Sequence, residues 1–136
     1  MRTIKHIAIG ALGSFCLIGP AITAEMTGGE IKDLIAGKTI YVQLTAVSAT
    51  GTKGQGVLYF ATDGTALFKI PKGDMWHGTW TVKDNAVCID WKEAPNTPCR
   101  KYDKQGDTIS VLNSAAGEVI AKILKNAPGN AEKLAP

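Results

Sequence analysis

Histidine and cysteine are scarce in this chain, and their scarcity excludes several kinds of site. The sequence contains two histidines and three cysteines. A metal site built from such ligands needs three or four of them together, and a catalytic triad would have to use His77. No serine stands in a Gly-x-Ser-x-Gly turn, and no glycine-rich phosphate-binding loop is present. We therefore expect a protein that is not an enzyme and holds no cofactor.

The chain also lacks a hydrophobic run long enough to span a membrane. Its longest apolar stretch without charge covers residues 7–18, whereas a spanning helix needs about 20 residues. Two basic residues precede this stretch and small residues follow it, which is typical of a secretory signal peptide. We predict a signal peptide over residues 1–24, cleaved after Ala24 or alternatively after Ala21. The mature protein is then periplasmic or secreted, in a bacterium, with no membrane span.

No excess of charge of one sign remains once that segment is removed. The 15 basic residues of the chain become 13, which face 12 acidic residues and leave a balance of +1. The densest basic cluster contains Arg100, Lys101 and Lys104, and Asp103 interrupts it. Nucleic-acid binding requires a clustered basic face, so no nucleic-acid partner is expected. Asp90 is predicted to pair with Arg100 or Lys101 across a hairpin.

The remaining sequence indicates one short helix followed by many short strands. Residues 27–36 carry Thr27 as a capping residue, Glu30 three positions later and Gly37 as a stop signal. Apolar residues then alternate with period two, and turn residues such as Asp63 and Gly64 separate about eight strands.

These elements predict a mainly β domain over residues 25–125. Consecutive hairpins favour a small antiparallel up-and-down meander or β-barrel of about eight strands, with the N-terminal α-helix covering one end. A sandwich is the alternative that the pattern leaves open. Residues 126–136 are polar and rich in proline and glycine, and we predict a flexible C-terminal tail there.

Cys88 and Cys99 are the cysteines that remain after export, because Cys16 leaves with the signal peptide. An even pair in an oxidising compartment predicts a disulfide, here one that clamps a hairpin. Cys88 is out of phase with Val87 and Trp91, which share the apolar face of their strand. The bridge is therefore expected on the outside of the core.

Four aromatic residues are the candidate ligand-binding side chains: Trp76, Trp80, Trp91 and Tyr102. Their alternation with polar residues predicts that they face the interior of the barrel. There they either fill the core or line a cavity for a small apolar ligand, and the pattern leaves both open.

Met75 and His77 stand beside the first of these tryptophans. Thioether and imidazole groups suit Cu(I), and weak copper binding is therefore a second alternative. A further ligand is missing nearby in the sequence, so the main prediction is that the protein holds no metal.

The segment over residues 63–102 resembles a group of small exported bacterial proteins of unknown function. They share a β core of the form DG…GTW…C..W…C..Y, matched here by Asp63-Gly64, Gly78-Thr79-Trp80, Cys88, Trp91, Cys99 and Tyr102. The resemblance covers most of residues 27–112. It implies an exported, lipocalin-like barrel and carries over no catalytic residue. The chain is also similar, more weakly, to periplasmic inhibitor barrels.

These observations favour an exported, disulfide-stapled, non-catalytic binding module of the bacterial envelope. Its partner would be a small apolar ligand or an envelope protein. The alternative is an inhibitor or accessory partner of an envelope enzyme, acting through the loops over residues 46–54 and 91–99.

Overall fold

The computed structural model of the protein describes residues 23–136. The predicted signal peptide lies outside the described residues except for its last two, and Cys16 lies outside them too. The elements, in chain order, are β1 Ala24–Glu25, α1 Gly28–Ile35, β2 Lys38–Leu44, β3 Gly54–Phe60, β4 Thr65–Lys69, β5 Met75–Lys83, β6 Ala86–Trp91, β7 Arg100–Gln105, β8 Thr108–Asn113 and β9 Val119–Pro128.

Eight of these strands form a closed antiparallel barrel. Each strand from β2 to β9 pairs with the next along the chain, and β9 pairs back with β2. Closure gives every barrel strand two neighbours and removes the exposed edges that a flat sheet would have. The predicted eight-stranded up-and-down barrel is therefore confirmed, and the sandwich alternative is excluded. The short strand β1 is an addition that the sequence did not predict.

The wall of the barrel is weakest between β6 and β7. These two strands share a single register pair, Val87 with Arg100, whereas β7 and β8 share six. Beyond that pair, the edge of β7 that faces β6 pairs instead with β1, and Glu25 lies opposite Asp103. We call the junction between β6 and β7 the seam.

The predicted disulfide between Cys88 and Cys99 is present and lies at the seam. Each cysteine directly neighbours one residue of the single β6–β7 pair. Cys88 lines a groove on the outer surface together with Thr79 and Thr81. The bridge therefore fastens the seam from outside the core, as the strand phase predicts.

The helix α1 packs across one end of the barrel. Thr27 caps it, since its side-chain oxygen accepts a hydrogen bond from the Glu30 backbone N–H at 3.3 Å. Gly37 follows with a φ of 67°, a conformation that favours glycine. Ile31 and Ile35 are fully buried against the barrel core. Over residues 23–136 no helix combines the length and apolar character needed to cross a membrane.

The chain does not leave the barrel at residue 126, where the flexible tail is predicted to begin. Strand β9 continues to Pro128, and the chain then packs along the outer face of β2. The Thr39 hydroxyl donates to the Gly129 carbonyl at 2.6 Å and accepts from the Ala131 N–H at 2.9 Å. Leu134 is 8% exposed. The polar composition of this segment does not predict the contact, because one buried leucine and a few hydrogen bonds suffice to fix a short segment.

Replacing Leu134 by alanine is expected to lower the free energy of unfolding by about 1–2 kcal/mol, since most of a buried leucine side chain is lost. Chemical denaturation measures the change. The exposed neighbour Ala135, replaced by serine, is the matched control and is expected to leave stability unchanged. Equal stability of the Leu134→Ala protein and the wild type would contradict the docked tail.

Candidate ligand-binding cavity

The barrel contains a cavity of about 70 Å³ at the end opposite α1. Most of its wall is apolar, and the polar groups that reach it come from two loops and from strand β7. The lining residues are Val42, Leu44, Ser48, Ala49, Thr50, Leu58, Phe68, Trp76, Ile89, Trp91, Thr97, Pro98, Arg100, Tyr102, Val111, Ile120 and Ala121.

Three aromatic rings form one side of this cavity. Phe68 meets Trp76 edge-on with ring centroids 5.9 Å apart, and Trp91 lies 5.7 Å from Phe68 and 6.0 Å from Trp76. Pairs at such distances stabilise one another beyond the area that they bury. The structure thus brings together three of the four aromatic side chains predicted as candidates, Trp76, Trp91 and Tyr102.

Trp80, the fourth candidate, does not line the cavity. Its indole N–H donates to the Ala61 carbonyl at 2.9 Å, and its ring meets Phe60 edge-on at 5.5 Å. Phe60 is the last residue of β3 and Ala61 follows it, at the side of the barrel that α1 covers. The alternation of β5 correctly predicts an inward side chain, but alternation does not indicate the level along the barrel axis. Trp80 is therefore a packing residue.

Two loops cover the end of the cavity that lies away from α1. The loop between β2 and β3 is folded on itself by a hydrogen bond of 2.9 Å between the hydroxyls of Ser48 and Thr50, and Ser48 is only 6% exposed. In the loop between β6 and β7, the Thr97 hydroxyl donates to the Ala94 carbonyl at 2.7 Å. These are the two loops that the sequence suggested for contact with a partner, and both reach the cavity.

Arg100 is a cavity residue that the sequence interpretation missed. It is 9% exposed, and within residues 23–136 no group accepts a hydrogen bond from its Nη1. The predicted pairing with Asp90 is wrong, because Asp90 is exposed on the outer face while Arg100 lines the cavity. Lys101 points outward and contacts Glu25 at 3.2 Å. The available signal was the two-residue spacing from Tyr102, which places both side chains on one face.

Among the described residues, the cavity wall carries one cation, Arg100, and no acidic side chain to balance it. Burial lowers the pKa of the Arg100 guanidinium, and the nearby Tyr102 opposes that shift. Burial raises the pKa of the Tyr102 phenol, and Arg100 offsets only part of the change. Arginine nonetheless stays protonated in proteins, and the tyrosine is neutral at physiological pH.

Met75 and His77 lie on the outer side of β5, away from the cavity. The His77 imidazole Nδ1 is 2.7 Å from Glu93 Oε1, and its backbone N–H donates to the other carboxylate oxygen at 2.8 Å. Desolvation raises the pKa of Glu93, but the hydrogen bonds from His77 outweigh it and the pKa is lowered overall. In the part of the chain that the structure describes, no three His, Cys, Asp or Glu side chains cluster as a metal site would require.

Comparison of the chain with protein-family models, curated proteins and solved structures finds no match. The resemblance to small exported proteins therefore stays a prediction, and the function is inferred from the cavity.

Proposed function

We propose that this protein is an exported, non-catalytic binding protein that holds a small apolar ligand inside its barrel. The observation that carries the proposal is the cavity beside Phe68, Trp76 and Trp91. Sites for small molecules are concave, mostly apolar and furnished with a few polar groups that fix orientation. The disulfide supports the exported location, since such bonds persist in oxidising compartments.

The helix α1 covers one end of the barrel, and loops cover the other end, where the cavity lies. Helix α1 buries Ile31 and Ile35 in the core at the closed end. At the other end the wall includes loop residues, among them Ser48 and Thr97, and loops are in general more mobile than the strands they connect. A ligand would therefore enter between the two loops.

The volume of the cavity limits the size of the ligand that it can hold. Its volume of about 70 Å³ is roughly half that of a dry engineered cavity of ~150 Å³ that binds benzene. The interior therefore accepts a group of a few non-hydrogen atoms. A longer ligand would extend between the two loops and displace Ser48 or Pro98, which belong to loops and not to strands.

Native mass spectrometry of the protein purified from the periplasm of its own host tests the proposal. We expect a bound small molecule in the wild type and its loss in Ala121→Leu, because Ala121 lines the cavity and is 3% exposed. The exposed Ala135→Leu is the matched control and should keep the ligand. An unliganded wild type, or a mass retained by Ala121→Leu, would contradict the proposal.

Binding to an envelope enzyme is a second candidate function. The observation that favours it is that both loops predicted for partner contact lie at the same end of the barrel. Val47, in the first of them, is 57% exposed and apolar. We expect an immobilised wild type to capture one envelope enzyme from its own host's extract and to inhibit it. Val47→Ser should weaken both effects, and capture that Val47→Ser leaves unchanged would argue against this function.

A further inference from the structure

We infer that the ligand of the cavity carries a carboxylate group, which binds the guanidinium of Arg100 at Nη1. This inference rests on the proposed binding function and names the class of ligand: a small organic acid with a short apolar body.

The first argument is the state of the Arg100 side chain. It lies in an apolar cavity, is 9% exposed, and its Nη1 has no acceptor among the described residues. Buried charges in proteins are normally paired, because an unpaired one loses its hydration without compensation. Arg100 lines the cavity, so a ligand bound there is the group that could supply the acceptor its side chain lacks.

The second argument is the choice of arginine. Over residues 25–136 the chain uses lysine twelve times and arginine once, and that arginine is the cavity cation. On a solvated surface either residue can supply a positive charge. They differ where a planar fork of donors must meet a planar acceptor, which is the geometry of a carboxylate.

The third argument is the balance of charge. Arg100 is the one cation of the described cavity wall, and the neighbouring Tyr102 is neutral and offers a hydroxyl. A single charge matches a monoanion, whereas a phosphate group at neutral pH carries about −1.5 to −2 charges. A carboxylate is therefore favoured over a phosphate as the bound group.

The lining residues of the cavity determine the chemistry of the rest of the ligand. Phe68, Trp76 and Trp91 present rings, and the opposite side is formed by aliphatic residues such as Val111 and Ile120. With the carboxylate at Arg100, a straight chain of a few carbons would lie along these rings and reach the loops.

In the experiment the protein is labelled with 5-fluorotryptophan. Its three tryptophans then give three ¹⁹F resonances. Trp76 and Trp91 report on the cavity, while Trp80 is an internal control for folding. The probes are butanoate, hexanoate, the primary alcohols of equal length, and inorganic phosphate. Titrations with each probe are run on the wild type, Arg100→Met and Arg100→Lys.

We expect both acids to shift the Trp76 and Trp91 resonances of the wild type, with affinity rising about fourfold for each additional buried methylene. Loss of a charge-assisted hydrogen bond should weaken hexanoate binding at least about tenfold in Arg100→Met. Arg100→Lys should retain a preference for acid over alcohol, but a smaller one, because its ammonium lacks the planar fork.

Four results would overturn the inference. Binding of alcohols but not acids by the wild type, or unchanged hexanoate affinity in Arg100→Met, would remove Arg100 from recognition while leaving an apolar binding protein intact. Phosphate binding as tight as hexanoate binding would overturn the carboxylate assignment. If neither acid nor alcohol shifts Trp76 and Trp91, the proposed function fails together with the inference. An unmoved Trp80 resonance in each variant shows that the fold is retained.

Discussion

Replacing Arg100 by methionine is expected to raise the free energy of unfolding of the unliganded protein by about 1–3 kcal/mol. The wild type keeps a largely buried arginine whose Nη1 has no acceptor among residues 23–136, and folding removes the hydration of that nitrogen without compensation. Methionine has a similar unbranched shape and fills the space without that charge. Urea denaturation of the two proteins, without ligand, measures the difference.

The neighbouring residue supplies the control for this result. Lys101 belongs to the same strand but points outward, and its contact with Glu25 is solvent-exposed. Lys101→Met should change stability by less than about 0.5 kcal/mol. A loss of more than about 1 kcal/mol in Arg100→Met would contradict the account, because it would show that the guanidinium makes contacts that stabilise the unliganded fold.

The Cys88→Ser/Cys99→Ser double variant is expected to lose about 3 kcal/mol of stability, through the entropy that an opened loop returns to the unfolded chain. The position of the bridge adds a local effect. Since Val87 and Arg100 form the single register pair between β6 and β7, little else holds the seam. Amide hydrogen exchange should therefore accelerate more in β6 and β7 than in β3 and β4.

Dithiothreitol provides the matched comparison. Reduction should destabilise the wild type to the level of the double variant and should leave the double variant unchanged. A stability loss below about 1 kcal/mol in the variant, or uniform acceleration of exchange around the barrel, would show that the seam is held by other contacts.

Local rules were sufficient to predict the antiparallel strands and their order, but they left a barrel and a sandwich both open. Period-two alternation places Val87 and Trp91 inward and Cys88 outward, and the structure agrees. Short turns between successive strands dictate neighbouring antiparallel pairs, and eight such strands close on themselves. The strand β1 and the tail around Leu134 escaped prediction, because each is held by contacts with residues distant in the sequence.

The cavity was only partly predictable. Alternation identifies Trp76, Trp91 and Tyr102 as inward residues, but not which level of the barrel stays open. Arg100 is predicted from the sequence to pair with Asp90 across a hairpin, whereas its two-residue spacing from Tyr102 places it inside. Where the strand phase and the polarity of a residue disagree, as at Arg100, a functional site is a reasonable expectation.

A crystal structure of the protein grown with hexanoate tests the central claim most directly. The account predicts the carboxylate within hydrogen-bond distance of Arg100 Nη1, and the chain against the rings of Trp76 and Trp91. A guanidinium directed into solvent, or hexanoate bound on the outer surface with the cavity unchanged, would contradict it.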